Sequence, residues 1–305
     1  MTDQTVSTLP RFGAAPGVGA AAMVGSGLVF AIINVGTQWL TAKLGQPATV
    51  VAFWQYGLAA LAVLPWLFNH GIGILKTRHF GRHLVRVALA TAGVQFFIAS
   101  LAHVPIWQVI AIDMTSPFLV VIGAGLFLGE RTGAARILAT LAAFAGATLI
   151  LAPWSDGFTP AALLPVGAAA AWAGSSLMTK DLTRVEPSET VTAWLLILLT
   201  PINAAFLAVD GAALAVGGVP LGATAWALIA GLAVLTALSQ GLLTVAYAKA
   251  DAAFLQPFDY VRLPVNVLAG FLAFGYAPGG VLWLGAALII AASAYLWWSE
   301  RTQRA

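Results

Sequence analysis

Apolar residues run along the chain in ten long blocks, broken at intervals by turn residues or by charge. Windows of about 19 residues place the blocks near 18–40, 48–68, 85–103, 105–128, 134–152, 160–179, 189–209, 222–248, 253–274 and 279–298. Each holds about 20 residues rich in Ala and Leu, the length at which an α-helix crosses a bilayer; barrel strands would be about 10 residues of alternating character. Inside lipid a helix satisfies its own backbone hydrogen bonds, so the pattern predicts ten crossing helices. The breaks carry turn chemistry: Gly45-Gln46-Pro47, Asn69-His70-Gly71, Pro153-Trp154-Ser155-Asp156-Gly157 and Gly217-Gly218-Val219-Pro220. The third and fourth blocks are almost continuous, joined around His103-Val104-Pro105.

The blocks fall into two related halves. At a spacing of 142, Phe30-Ala31 aligns with Trp172-Ala173, Thr37 with Thr179, and Leu40-Thr41 with Leu182-Thr183. At a spacing of 147, Pro117 aligns with Pro264, Val120 with Val267, Gly123 with Gly270 and Phe127 with Phe274. A unit of five crossings is odd, so the halves must enter the membrane in opposite orientations, an architecture many secondary transporters use. The expected organisation is a flexible cytoplasmic tail over 1–17, one repeat over 18–152, a second over 160–298 and a cytoplasmic tail over 299–305. The fold class is all-α polytopic: ten transmembrane helices in two inverted five-helix repeats.

Composition removes the alternatives. Of 305 residues 60% are hydrophobic and only 8% charged, with a mean hydropathy of +0.92. A soluble domain carries about 25% charged residues, so a water-exposed surface cannot be built. There is no cysteine, which excludes disulfides, thiolate metal sites and cysteine nucleophiles. The net charge of +3 is no nucleic-acid signal; its distribution gives orientation instead. Arg11, Lys76, Arg78, Arg82, Arg86, Arg131, Arg136, Lys180, Arg184, Lys249, Arg301 and Arg304 fall on one side, against Lys43 alone on the other. That bias predicts a bacterial-type inner (plasma) membrane protein with both termini cytoplasmic. The first seventeen residues lack the basic-then-apolar pattern of a signal peptide. Trp39, Trp66, Trp154, Trp297 and Trp298 suit an interfacial belt.

Charged side chains inside a bilayer are costly, on the order of 2.5–3.5 kcal/mol each on insertion scales. Asp113, Asp259 and Arg262 lie well within predicted crossings. The first enters the fourth crossing from the outer side and the second enters the ninth from the inner side, so both approach the midplane. Gln256, Asp259, Arg262 and Asn266 share one face of the ninth crossing, where Asp259 and Arg262 can pair. Polar faces occur elsewhere: Asn34 and Gln38 in the first crossing, Gln95 in the third, Gln108 and Thr115 in the fourth. Trp172 and Ser176 in the sixth and Gln240, Thr244 and Tyr247 in the eighth complete the set. One such residue usually serves as interhelical glue, worth about 0.6 kcal/mol. Their concentration in crossings 1, 3, 4, 6, 8 and 9 points to a lined cavity. Crossings 5 and 10 are nearly devoid of polar side chains and suit scaffolding or a homodimer face.

Pro117 and Pro264 remove backbone hydrogen bonds at corresponding places and are candidate hinges or fixed bends. Gly123, Gly125 and Gly129 lie in an apolar helix and read as close-packing residues, not a nucleotide loop. His79 and His83 are four apart, but no neighbouring carboxylate or cysteine completes a metal site and the surrounding Lys76, Arg78, Arg82 and Arg86 repel cations. A basic loop against anionic headgroups is the better reading. No nucleophile elbow or phosphate-binding Lys loop is present, so neither enzyme chemistry, a cofactor nor a nucleic-acid partner is expected.

Pro117 through Leu128-Gly129-Glu130-Arg131 resembles the Pro…Gly-Glu-Arg signature of the drug/metabolite transporter superfamily, EamA type. In the second half Tyr276 stands where that signature has Glu. The stretch Gln256-Pro257-Phe258-Asp259-Tyr260-Val261-Arg262-Leu263-Pro264 is similar to a Pro-Phe-Arg-Tyr-x-Arg-Leu pattern in a branch that includes S-adenosylmethionine uptake carriers, with Asp259 replacing Arg. Other branches export amino acids or take up riboflavin. The resemblance implies a central cavity lined by helices 1, 3, 4, 6, 8 and 9. The function expected is secondary transport of a small organic metabolite, amino-acid-like or otherwise zwitterionic or amphipathic, by alternating access. The candidate substrate residues are Asn34, Gln38, Gln95, Trp172, Ser176, Gln240, Tyr247, Asp259, Tyr260 and Arg262, with Asp113 the candidate for a coupling proton. An exporter of organic cations and a non-transporting membrane scaffold are the competing readings.

Overall fold

The computed structural model describes residues 15–101, 112–130, 132–151, 163–210, 221–275 and 281–302. Gln108, Arg131, Trp154 and Tyr276 lie outside the described residues. The long helices are α1 (Pro16–Gln38), α2 (Ala48–His70), α3 (Phe80–Leu101), α4 (Ser116–Leu128), α5 (Ala134–Leu151), α6 (Leu163–Leu182), α7 (Ser188–Val209) and α8 (Ala223–Lys249). They are followed by α9 (Ala252–Asp259), α10 (Arg262–Phe274) and α11 (Val281–Thr302). Among the described residues there is no strand. The chain is an all-helical membrane protein. Its segments Pro16–Lys43, Ser188–Val209 and Ala223–Lys249 are each long and apolar enough to span a bilayer.

Proline and glycine set several ends. Pro16 opens α1 in its first turn, where its missing N–H has no helical partner to lose. Pro47 and Pro187 precede α2 and α7 in extended conformation. Gly129 and Gly275 end α4 and α10 with φ of +64° and +74°, the left-handed C-cap that other side chains resist. The end of α1 differs from expectation: Trp39–Lys43 forms a π-turn closed by Leu44 N–H donating to Trp39 O at 3.2 Å.

The ninth block is not one bent helix. It is broken at Tyr260-Val261 into α9 and α10. Pro264 has no N–H to offer the Tyr260 carbonyl four residues back, so Leu263 N–H takes it at 3.0 Å in a tighter turn. The fourth block shows a matching break. Met114 and Thr115 are in turn conformation, Thr115 N–H donates to Ile112 O at 2.9 Å, and α4 restarts one residue before Pro117.

Helix pairing follows a simple scheme. α1 packs on α8, α3 on α6, and α5 on α11, while α2 lies between α7 and α8. α4 touches α6 and α9, and α1 touches α10. Shifting each crossing by five exchanges the α1–α8 and α3–α6 pairs and leaves α2–α7 and α5–α11 unchanged. Small residues allow these approaches: a Cβ on Gly146 would stand 2.7 Å from the Gly285 carbonyl oxygen on α11. Ala139, Ala143 and Ala147 bury the same side of α5. Polar links join the remaining pairs, as between Ser26 and Ser239 (3.0 Å) and between Gln55 and Thr236 (2.7 Å). Leu126, Phe127, Leu272 and Leu284 stand exposed on the outside, as lipid contact requires.

Candidate functional site

The helices enclose a cavity of about 650 Å³ between the two halves. A volume in the range of roughly 300–1,000 Å³ suits a drug-sized ligand. Of the sequence-predicted residues, Asn34, Gln95, Asp113, Trp172, Ser176, Gln240, Tyr247, Asp259 and Arg262 line it. Gln38 does not. It is exposed one turn beyond Asn34, next to the π-turn. Tyr260 does not either: it is fully buried with its hydroxyl donating to Met114 O at 2.7 Å, tying the break in the ninth crossing to the break in the fourth. Pro117 and Pro264 stand beside these breaks, outside the lining.

The breaks aim the charges. Asp259 ends α9 and Arg262 begins α10, and their side chains meet across the turn, Nη2 to Oδ2 at 3.3 Å. Asp113 lies just before the matching turn of the fourth crossing, and its Oδ1 is buried without a hydrogen-bond partner. It feels both Arg262 and Asp259, so these three residues form one electrostatic cluster. Gly27 on α1 permits the close packing there: a Cβ would meet Arg262 Cβ at 3.1 Å. Above the cluster, Asn34 donates to Asn266 Oδ1 at 2.8 Å and joins α1 to α10.

Trp172 forms an aromatic wall on α6. It lies over Gly93 of α3, where an added Cβ would stand 3.0 Å from the indole. Phe30, Tyr56, Phe97 and Phe206 add further aromatic surface. Tyr247 is buried, with Ser176 and Gln256 beside its hydroxyl. Amides alternate with the rings, from Gln95 and Asn203 to Gln240 and Gln256.

The two ends of the cavity differ. At the end holding the C-terminal parts of α1 and α3, Asn34, Val94 and Gln95 are exposed. At the other end Arg86, Thr179 and Tyr247 are buried. Beyond them lies a layer of charge. Lys180, 1% exposed, donates from Nζ to the carbonyls of Tyr247 (2.9 Å) and Ala250 (2.6 Å), capping the C-terminus of α8. Glu130 caps the N-terminus of α9, its two oxygens accepting from Ala252 N–H (2.9 Å) and Ala253 N–H (3.0 Å). Arg136 pairs with Asp251 at 2.8 Å between these caps, and Arg184 stands 3.8 Å from Glu130. Each cap places charge where the helix dipole favours it.

Sequence reasoning missed this layer. Arg86, Arg136 and Lys180 counted there only among the positive charges of the cytoplasmic side, yet all three are buried. Their partners lie more than sixty residues away along the chain, beyond any local pattern. The Gly-Glu-Arg signature was the one available signal, and its Gly129 and Glu130 prove to be a helix C-cap and a helix N-cap. His83 likewise gains a carboxylate that its neighbourhood in sequence lacks: Nε2 lies 2.7 Å from Glu186 Oε2, and Glu186 also accepts from Thr77. Among the described residues no group of three His, Cys, Asp or Glu side chains could hold a metal ion.

Comparison with known proteins adds lineage to this geometry. The model of the EamA-like transporter family matches residues 17–152. A riboflavin transporter of Rhizobium johnstonii is 57% identical over 285 residues, covering 93% of this chain and 92% of its own. A riboflavin transporter of Brucella anthropi is 49% identical over 274 residues, covering 90% and 96%. A solved crystal structure superposes with a TM-score of 0.78 over 95% of this chain and 99% of its own, at 17% identity, a likeness of fold.

Proposed function

The chain belongs to the EamA-like transporter family of the drug/metabolite transporter superfamily, and from that premise we propose that it carries riboflavin or a closely related planar heteroaromatic metabolite across the inner membrane. It is a transporter of a small metabolite rather than an enzyme. The observation that carries the substrate reading is the cavity itself. Trp172 and its aromatic neighbours offer faces for a flat tricyclic ring, and amides surround them. Riboflavin is uncharged at neutral pH, and the Asp259–Arg262 pair is neutral in sum. The edge of its ring presents an N–H between two carbonyls, matched by a carboxylate acceptor beside a guanidinium donor. Its hydroxylated side chain suits the amides. Relatives of 49–57% identity named for riboflavin support the same choice over an amino-acid-like zwitterion, which the pair alone would also accommodate.

Transport proceeds by alternating access between two inverted five-helix repeats, residues 18–152 and 160–298, whose ten crossings leave both termini in the cytoplasm. The main helix pairs support this, since exchange of crossings by five maps α1–α8 onto α3–α6 and returns α2–α7 and α5–α11 to themselves. So do the matched breaks before Pro117 and Pro264, where the repeats can flex. With this orientation the exposed rim at Asn34 and Gln95 faces outward, and the Lys180–Glu130 layer seals the cytoplasmic side: the conformer is outward-open. Asp113, a carboxylate without a hydrogen bond on one oxygen, is the residue on which a coupling proton would travel. A cation exporter is disfavoured by Arg262, and a scaffold has no use for a polar cavity of this size.

The test is binding and flux with purified protein. Riboflavin should lose fluorescence on titration as it stacks on Trp172, and liposomes should show counterflow of radiolabelled riboflavin. Saturable counterflow of an amino acid without any for riboflavin would reject the substrate reading.

A further inference from the structure

The sealed end of the cavity holds a cation that the reading above does not use. Arg86 lines the cavity and is 2% exposed. Its Nη1 donates to Val191 O at 2.8 Å, while its Nε has no hydrogen-bond partner. Among the described residues no carboxylate pairs with it. Its ionisable neighbours are His83 and Tyr247, whereas the carboxylates of the cavity, Asp113 and Asp259, group with Arg262. A buried guanidinium normally comes with a carboxylate, because one carbonyl does not offset the loss of hydration. A neutral donor would serve Val191 as well. Retaining the charge needs another reason.

Thr91 supplies a second sign. Five residues along α3, it lines the same cavity, and its hydroxyl is buried without a partner. A cationic donor and a hydroxyl donor, both short of acceptors and both lining one cavity, are complemented by an anion. We propose that the sealed end of the cavity is an anion subsite, with Arg86 as its cation and Thr91 as an auxiliary donor, that receives a phosphate or carboxylate. Resting on the flavin reading, the solute that spans both ends is a planar ring on the Trp172 wall whose flexible chain ends in a phosphate monoester. A guanidinium suits such a group because it donates in a fixed fork. The same chemistry would also hold a free anion that accompanies a neutral substrate.

The experiment uses the full-length protein in detergent, with riboflavin, riboflavin 5′-phosphate and inorganic phosphate as probes. Fluorescence titration should show the phosphate ester binding roughly tenfold or more tightly than riboflavin, the effect of one charge-assisted hydrogen bond. Arg86→Gln, which keeps a donor for Val191, should erase that ratio, and Arg86→Lys should keep part of it. Inorganic phosphate alone raising the melting temperature of wild type but not of Arg86→Gln would identify a free anion as the occupant and still support the subsite. If Arg86→Gln does not fold, the ratio in wild type against Arg86→Lys decides. Equal affinity for both flavins in wild type, together with no phosphate-dependent shift, overturns the proposal. Failure of both flavins to bind, with an Arg86-dependent phosphate shift intact, rejects the flavin reading and leaves the subsite standing.

Discussion

Glu130→Gln tests the charged seal directly. The native carboxylate is 9% exposed and accepts two backbone hydrogen bonds, at 2.9 and 3.0 Å, from the first two residues of α9. Bonds to a charged group contribute about 1.5–3 kcal/mol each. Glutamine keeps one acceptor oxygen but turns an NH2 group toward the other amide, leaving a buried N–H unpaired. It also removes the negative charge at a helix N-terminus, worth roughly 0.3–2 kcal/mol. The expected loss is about 2–4 kcal/mol. At roughly 2 °C per kcal/mol for a chain of this size, the melting temperature should fall by about 4–8 °C. The assay is thermal unfolding in detergent followed by intrinsic tryptophan fluorescence. Glu189→Gln, at an exposed carboxylate in the first turn of α7, is the control: it removes a helix-terminal charge without a buried hydrogen bond and should cost under about 1 kcal/mol. If Glu130→Gln melts with wild type, the carboxylate does not hold α9 and the seal has been misread.

Lys180→Met should destabilise comparably, since it leaves the carbonyls of Tyr247 and Ala250 without their donor; an unchanged melting temperature argues against the cap. Trp172→Ala should weaken riboflavin binding about 3- to 10-fold through lost stacking, measured by fluorescence titration, and wild-type affinity would count against the aromatic wall. Gly27→Val should raise the dissociation constant by pressing on Arg262, because even a Cβ there approaches to 3.1 Å; a neutral result in the same titration rejects the close packing. Asp113→Asn should abolish accumulation driven by an imposed proton gradient in liposomes, and full retention removes that residue from coupling.

Much of the fold can be read from the order of apolar blocks, because a bilayer imposes one length and one hydrogen-bonding solution on every crossing. Most lining residues were legible for a related reason: amides and charges are costly in lipid, so Asn34, Gln95, Asp259 and Arg262 advertise a polar interior. Legibility failed where geometry depends on local register or distant partners. Tyr260 shares its neighbours' polarity, yet the chain break turns it away to Met114. Gln38 lies one turn past the rim. Arg86 opens the third apolar block but was read with the basic run from Lys76, and only the fold shows that it is buried and lines the cavity. The short motif around Arg262 resembles one branch of carriers, whereas identity over the whole chain favours riboflavin relatives.

The α8–α9 junction carries a further consequence. Two carbonyls and two amides there are held by the side chains of Lys180 and Glu130. Parting these elements strips those groups of partners, and only solvent can replace them. The proposed inward transition would therefore hydrate the junction, and turnover should slow as an impermeant osmolyte lowers water activity. On the proposed cycle, water becomes a reactant of the step that opens this end of the cavity.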